Sequence, residues 1–519
     1  MPGQLTRRLL TPLSLWLILG MVTGCASALQ PMDHEPDLRR APVQDSFMTD
    51  QGQVHLAPGS QDSGFQLLDS GRDAFLVRAA LIEAASHHID AQYYIWNDDA
   101  TGRYLAGRLV AAADRGVQVR LLLDDINAAG KEPLFASLGS HPNIQVRIFN
   151  PARSRSGVSR LLALLVDFDR INRRMHNKTL VVDGYVGIAG GRNIGDEYFD
   201  EHPTLNFRDR DVMALGPMAG EMTDNFEAYW NSQWAYPLAD LYPLPLSEQA
   251  SDALARLTRE PSGTKTFQAA PPQNRQAAET LLSGWFSGMV QAPGELVFDP
   301  PPEDPEAPAN ARQNTAKALY RLVEAAESEV LIESAYLILA EDQLEDLSRL
   351  AHPALEIAAI TNSLASNDLV TNHSGYARWR TEMLEQGIEL YELRPGAPAC
   401  LKWVASRSAC EQGAVSLHSK AVVFDRETLF IGSFNVNLRS MYLNGETVLI
   451  IHSPELAETV ANDIRYAMAP ENSWQVSLDE RGDLVWQSSG QRIDHEPGVG
   501  FWRRVTSKFL SWWPLEKYL

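Results

Sequence analysis

Two short stretches of this chain repeat a pattern of reactive side chains. His176-Asn177-Lys178 is followed by Asp183 and then by Gly190-Gly191-Arg192-Asn193. His418-Ser419-Lys420 is followed by Asp425 and then by Gly432-Ser433-Phe434-Asn435. Both read H-x-K, four residues, D, six residues, G, with N three positions after that glycine. The histidines are 242 residues apart, as are Tyr94 and Tyr336 upstream, so the repeat keeps register over most of each copy. One H-x-K is the pattern of an ordinary core or surface histidine; two with matching downstream residues point to shared chemistry. Histidine and lysine two apart on a strand project from one face. Two facing copies would gather two imidazoles, two lysines and two asparagines around one point. Such a site suits a phosphoryl group: Lys178, Lys420, Asn193 and Asn435 hold its oxygens, one imidazole attacks phosphorus and the other protonates the leaving alcohol. No cysteine cluster or H-E-x-x-H spacing offers a metal site, and two lysines would repel a cation.

The elements that must position these residues also occur twice. Asp73 to Ala85 has apolar residues at helical spacing, Ile89 to Trp96 reads as a strand, and Leu105 to Arg115 as a helix stopped by Gly116. Strands are expected at Val119–Asp125 and Ile144–Phe149. The second copy offers helix 316–326, strand 330–339, helix 341–350, strand 355–360 and strand 388–393. Alternation of helices with short apolar strands predicts an α/β fold with mixed, mainly parallel sheets, made twice. Between the copies, Pro271-Pro272 and Asp299-Pro300-Pro301-Pro302-Glu303-Asp304-Pro305 mark a connection. The expected division is a leader (1–24), a linker (25–60), a first lobe (61–246), a Pro-rich connection (247–310), a second lobe (311–470) and a C-terminal extension (471–519).

These residues resemble the phospholipase D superfamily, whose HxK(x)4D(x)6G(G/S)xN motif occurs twice per active site. The resemblance covers nearly the whole chain after the leader, including the Asp73-Ala74-Phe75 helix and the Gln92-Tyr93-Tyr94-Ile95-Trp96 strand. It implies two lobes sharing one site and a phosphohistidine intermediate formed without metal or cofactor. It implies that His176 is the nucleophile and His418 the general acid and base, with Asp183 and Asp425 mainly structural. It places the acids that orient the histidines further downstream, at Asp211 and Glu446. Gly191 stands where the second copy has Ser433, so a hydroxyl contact is available from one side only.

The chain has 519 residues, is 45% hydrophobic and 21% charged, and carries a formal charge of −21. This excludes disordered, collagen-like and disulfide-scaffold classes. So acidic a chain argues against a nuclease, which needs basic surface to displace counterions, and no nucleic-acid partner is expected. Arg7 and Arg8 precede an apolar run from Leu9 to Val22. At 1.5 Å per residue that run covers about 21 Å, short of a bilayer core of about 30 Å. It reads as a secretory signal rather than a membrane anchor. Val22-Thr23-Gly24-Cys25 resembles a bacterial lipobox, which implies lipidation of Cys25; Ala26 after it favours the outer membrane. Cys400 and Cys410 then lie in an oxidising compartment and are expected to form a disulfide.

The tether and the acidic charge favour lipid substrates. A third pointer is the tail after Gly500, where Phe501, Val505, Phe509 and Trp512 lie at helical spacing beside Arg503, Arg504 and Lys508. That segment fits either a membrane surface or docking on the protein's own core. Within the superfamily, the whole-chain pattern is similar to bacterial cardiolipin synthases of the C group. The expected activity is transfer of a phosphatidyl group to phosphatidylglycerol, from a second phosphatidylglycerol or from phosphatidylethanolamine. The alternatives are hydrolysis to phosphatidic acid and, third, phosphodiesterase action on nucleic acid.

Overall fold

The computed structural model describes residues 31–518 except 33–34, 153–167, 260–266, 268–269, 305–308, 351, 353, 405–406, 413–414 and 514–515. The leader and Cys25 lie outside the described residues.

The chain builds two large sheets. In chain order, the first lobe gives β1 (Ser63–Leu68), β2 (His88–Tyr93), β3 (Gln118–Asp124), β4 (Ile144–Phe149), β5 (Thr179–Val182), β6 (Val186–Gly190), β7 (Asn206–Arg208), β8 (Asp211–Leu215) and β9 (Ala235–Pro237). The connection adds β10 (Val290–Ala292) and β11 (Gly294–Phe298). The second lobe gives β12 (Glu329–Ser334), β13 (Glu356–Asn362), β14 (Glu389–Leu393), β15 (Val415–Leu417), β16 (Lys420–Phe424), β17 (Thr428–Gly432) and β18 (Thr447–His452). The C-terminal extension adds β19 (Ser473–Leu478), β20 (Leu484–Ser488) and β21 (Gln491–Ile493).

The first sheet runs β10-β1-β8-β6-β5-β2-β3-β4-β9, and the second β11-β18-β17-β16-β12-β13-β14-β19-β20-β21. Both are mixed, as the alternating pattern predicts. Parallel pairing is narrower than expected, confined to β2-β3-β4 and β12-β13-β14. The cause is local: each motif strand returns through a tight turn, and a hairpin is necessarily antiparallel. Val182↔Val186 and Phe424↔Thr428 close these hairpins. Asp183 and Gly184, like Asp425 and Arg426, take positive φ in the turns.

The motif aspartates hold these turns. Asp183 accepts the N–H groups of Ser86, His87 and His88, and Asp425 those of Glu327, Ser328 and Glu329. Each staples the motif hairpin to the loop entering β2 or β12. The proline-rich connection is more than a linker, because β10 completes the first sheet and β11 edges the second.

The sheets pack against each other. Val181, Val212 and Ala214 of the first sheet share one core with Ala421, Val423, Ile431 and Leu449 of the second. Their neighbours in sequence, Leu180, Val182 and Met213, or Val422, Phe424 and Ile450, face the outer helices instead. This is the period-two alternation of a strand buried on both sides. Helix Gly71–Ala84 is capped by Ser70, and Gly116, at φ +97°, ends the next helical segment. Cys400 and Cys410 form the expected disulfide.

Buried ion pairs cross the interface. Arg210, between β7 and β8, pairs with Glu333 and Asp463 of the second lobe and Asp69 of the first. Arg208 also reaches Asp463, at 2.6 Å. Removing one partner of such a network leaves a buried charge uncompensated, at a cost of about 3–5 kcal/mol. Arg210→Leu should therefore lower the unfolding free energy by about that amount. The Arg210→Leu/Glu333→Leu double variant should lose less than the two single variants summed in denaturant titrations; additive losses would show the pair is not coupled.

Candidate active site

Backbone pairing between the lobes sets the site. Met175 bridges Gly445; the Gly445 N–H donates to Arg174 O, and the His176 N–H donates to Gly445 O, both at 2.8 Å. On the other side β15 runs parallel to β7, and the N–H groups of His418 and Ser419 donate to Arg208 O at 2.7 and 2.9 Å. The residue after Gly445 is Glu446 and the residue after Arg208 is Asp209, so each histidine meets an acid of the opposite lobe. His176 Nδ1 lies 2.7 Å from Glu446 Oε2, and His418 Nδ1 lies 2.5 Å from Asp209 Oδ2.

Glu446 stands where the resemblance placed it, but Asp211 does not. Asp211 is held by Arg78 and Arg192, and the acid at His418 is Asp209. Register explains the correction. Gly190 pairs with Asp211 and Gly432 with Val448, so Asp211 matches Val448 and the counterpart of Glu446 lies two residues earlier. A sequence signal existed: each strand runs into a helix opened by proline, and Asp209 and Glu446 both lie eight residues before Pro217 and Pro454.

The Gly191/Ser433 difference follows from the two acids. Ser433 Oγ donates to Glu446 Oε2 at 2.5 Å. A Cβ at Gly191 would stand 2.1 Å from Asp209 Oδ1, so the aspartate itself fills that space. Glu446 also accepts from Ser440 at 2.7 Å and Asn444 at 3.2 Å, giving it four donors. Asp209 has two among the described residues, His418 and the Arg210 N–H.

Lys178 Nζ donates to His176 O at 2.5 Å and lies 5.3 Å from the Tyr94 ring centre. Lys420 Nζ donates to His418 O and lies 3.1 Å from His418 Nδ1. The asparagines differ. Asn193 accepts from the Ile95 N–H and donates to Tyr198 Oη, so it fixes the wall. Asn435 is buried with Oδ1 lacking a partner among the described residues. Tyr94 stands edge-on to His176; Tyr198 and Tyr336 stand edge-on to His418. Sequence reasoning used Tyr94 and Tyr336 only as register marks and missed Tyr198.

Each histidine keeps only 7–8% of its surface accessible. Burial, opposed by Glu446, lowers the His176 pKa to about 4; burial and then Lys420, opposed by Asp209, lower His418 to about 4. Burial, with Lys420 adding to it against Glu446, brings Lys178 down to about 7. Burial lowers Lys420 as well, and each lysine acts on the opposite histidine, so the two motifs form one electrostatic unit. The free site therefore holds neutral imidazoles, one able to attack phosphorus, beside cations able to receive a phosphodiester. Among the described residues no cluster of His, Cys, Asp or Glu could hold a metal.

Amide replacements separate the two aspartates. Asp209→Asn should lower kcat by about 10²- to 10⁴-fold with little change in Tm, by loss of the anion that supports the His418 imidazolium. Asp211→Asn should instead lower Tm, because two buried guanidiniums lose their anion; the opposite split would return Asp211 to the site. Titration of the site sets its pH range. Activity needs neutral His176, lost as pH falls through about 4, a proton on His418, held less above about 4 in the free site, and charged Lys178, lost as pH rises through about 7. With a water-soluble phosphodiester, kcat/KM should be bell-shaped, falling above the histidine value and more steeply above about 7; a flat profile from pH 5 to 9 would contradict it.

Comparison with known proteins agrees with the geometry. The family described as "Cardiolipin synthase, PLD-like domain" matches residues 79–230 and again 319–468. Cardiolipin synthase C of Escherichia coli (strain K12) is 37% identical over 457 residues, covering 86% of this chain and 94% of that protein. A cardiolipin synthase of Halalkalibacterium halodurans is 23% identical, over 83% of this chain and 70% of its own. The crystal structure of phosphatidylserine synthase from Haemophilus influenzae Rd KW20 shares the fold, with a TM-score of 0.55 at 12% identity, covering 91% of this chain and all of that one. With two matched domains, two intact motifs and one crossed pair of histidine–carboxylate contacts, the chain belongs to the phospholipase D-like cardiolipin synthase family.

Proposed function

We propose that this protein is a phosphatidyl transferase that makes cardiolipin through a phosphohistidine intermediate. The observation that carries the reading is the pair of histidines, each braced by a carboxylate of the opposite lobe, in a site that also holds two lysines and is nearly closed to solvent. In the first step His418 takes up a proton as the anionic phosphodiester binds, His176 Nε2 bonds to the donor's phosphorus, the bond to the headgroup oxygen breaks, and His418 gives that oxygen its proton. In the second, His418 takes the proton of the acceptor's glycerol hydroxyl, whose oxygen bonds to phosphorus as the P–N bond breaks. Lys178 and Lys420 offset the charge of the phosphoryl oxygens, with Asn435 beside them.

The two carboxylates support this division of roles. Asp209 has two donors and leaves more charge for His418, which must carry the proton; Glu446, shared among four, fixes His176 without making it a strong base. Phosphatidylglycerol is the acceptor, and phosphatidylglycerol or phosphatidylethanolamine the donor. Exclusion of water favours the lipid alcohol over hydrolysis in the second step. We assign residues 61–246 and 311–470 to the two catalytic lobes, the first reached through the leader (1–24) and linker (25–60). A lipidated Cys25 would hold the protein at the periplasmic face of the outer membrane, and the Cys400–Cys410 disulfide supports an oxidising compartment.

The test uses the full chain with vesicles of phosphatidylglycerol and phosphatidylethanolamine, products being read by mass spectrometry. Cardiolipin should form with the native chain, and His176→Ala and His418→Ala should each reduce it by about 10³-fold or more. Phosphatidic acid without cardiolipin would make the protein a hydrolase, and comparable activity in either variant would sink the two-histidine mechanism.

A further inference from the structure

The helix Phe501–Leu510 is packed with its polar side inward. It lies on helix Val370–Glu385, and Ser507 is its one buried residue. Arg503 donates to Asn367 O at 2.7 Å, and Arg503 and Arg504 are half-buried on the same side. The opposite side, continued past the helix end, carries Phe501, Trp502, Val505, Phe509, Trp512 and Trp513, which are 42–78% exposed. A helix recruited to complete the protein's own core would turn these six inward. This one spends its polar side on the body and leaves an aromatic surface in water, so own-core docking is the wrong alternative for this segment. Contiguous apolar surface of this kind marks an interaction site.

Charge says what occupies it. After Gly500 the chain has four basic residues, Arg503, Arg504, Lys508 and Lys517, against one acid, Glu516, in a protein of net charge −21. Lys508 is exposed at the edge of the aromatic face, with Arg503 and Arg504 half-buried behind it. Tryptophan with lysine and arginine is the composition of the lipid headgroup boundary, where rings enter the interface and cations meet anionic phosphates.

Both ends of the segment touch the active site's supports. At the start, Arg503 holds Asn367, next to Asp368, which accepts from Tyr336 Oη at 3.0 Å; Tyr336 stands against His418. At the end, Arg439 donates to Tyr518 O at 3.0 Å, and the neighbouring Ser440 donates to Glu446, the partner of His176. The Tyr518 ring also meets Phe168 of the first lobe at 4.8 Å. The tail thus touches the support of one histidine at its start and that of the other at its end.

We propose that the outward face of residues 501–513 docks on an anionic phospholipid bilayer and holds the cleft against the surface from which both lipids enter. This rests on the phosphatidyl transferase reading and names the surface through which its substrates arrive. The binding test needs no turnover. The full chain is mixed with phosphatidylglycerol/phosphatidylethanolamine vesicles carrying bromines on the acyl chains, which quench tryptophans that enter the bilayer. Replacing Trp502, Trp512 and Trp513 by Phe should cut the quenched emission at least two-fold, and bromolipid vesicles of phosphatidylcholine alone should quench less than the anionic ones. In a second arm the same three positions become Ser. Turnover of vesicle lipid should fall about ten-fold, while that of monomeric short-chain phosphatidylglycerol stays within two-fold.

Equal quenching with and without the three tryptophans would overturn the proposal. So would a concentration-dependent dimer, formed without vesicles and abolished by the Ser replacements, which would assign the face to a second copy. Intact quenching with no lipid product from either substrate would support the docking while removing the transferase reading.

Discussion

The catalytic geometry depends on two backbone contacts between the lobes: His176 N–H to Gly445 O, and His418 N–H to Arg208 O. Each fixes the main chain of a histidine against the residue that precedes the opposite lobe's acid, so strand pairing and imidazole orientation are one constraint. Neither lobe can form half of this site alone, because the carboxylate for each histidine arrives from the other. The shared core of the two sheets and the Arg208–Arg210 network keep these contacts in register, since a shift of one residue would replace Asp209 with an arginine. Gly445 is tied to the same constraint: a Cβ there would stand 1.7 Å from Tyr229 Oη, whose hydroxyl is held by Asp299 O.

Charge in the site is balanced on a small number of groups. Lys178 and Lys420 oppose Glu446 and Asp209, and the histidines are held neutral by burial. A third carboxyl nearby, Asp299, accepts the Glu446 N–H and both donors of Thr315, and burial pushes its pKa up to about 7. At neutral pH it thus carries only part of a negative charge beside Glu446. The phosphodiester therefore enters a site whose cations are not already neutralised by surplus carboxylates. Its charge offsets the lysines and raises the proton affinity of His418, so binding prepares the acid that the first step uses.

Most of the reactive set was legible because the two motifs are local and repeated; matching spacing at a distance of 242 residues identifies a shared site without any structure. The helices and the strands flanking the motifs followed from periodicity, with boundaries displaced where the chain leaves the sheet to build the wall, as at Tyr94 and Tyr336. The orienting partner of His418 was not legible by counting forward from the motif. The segment between Asn193 and β8 is longer than its second-lobe counterpart, so Asp209 is equated with Glu446 by the register of the finished sheet or by counting back from Pro217 and Pro454. Parallel and antiparallel neighbours were likewise indistinguishable, because both present short apolar runs. The tail's amphipathic spacing was visible, but spacing divides a helix into two faces without saying which one meets the protein body. Which side packs is decided by the partner surface, here Asn367 and helix Val370–Glu385.

The acidic composition also becomes intelligible once charges are sorted by place. Many arginines are buried in pairs with carboxylates: Arg78 with Asp211, Arg120 with Asp90 and Glu227, Arg210 with Glu333, and Arg380 with Glu392. These four arginines take five carboxylates inside with them, so nearly all of the chain's excess of acid is left for the outer surface. An anionic bilayer would repel such a body, but at physiological salt the repulsion decays over about 8 Å. Within that distance orientation matters more than net charge. The segment after Gly500, with four cations and one acid, opposes such an approach less than the acidic body does, and its ends touch the supports of both histidines. On the docking proposed above, repulsion of the acidic body by an anionic bilayer would favour approach through the aromatic, basic segment over approach through the acidic surface.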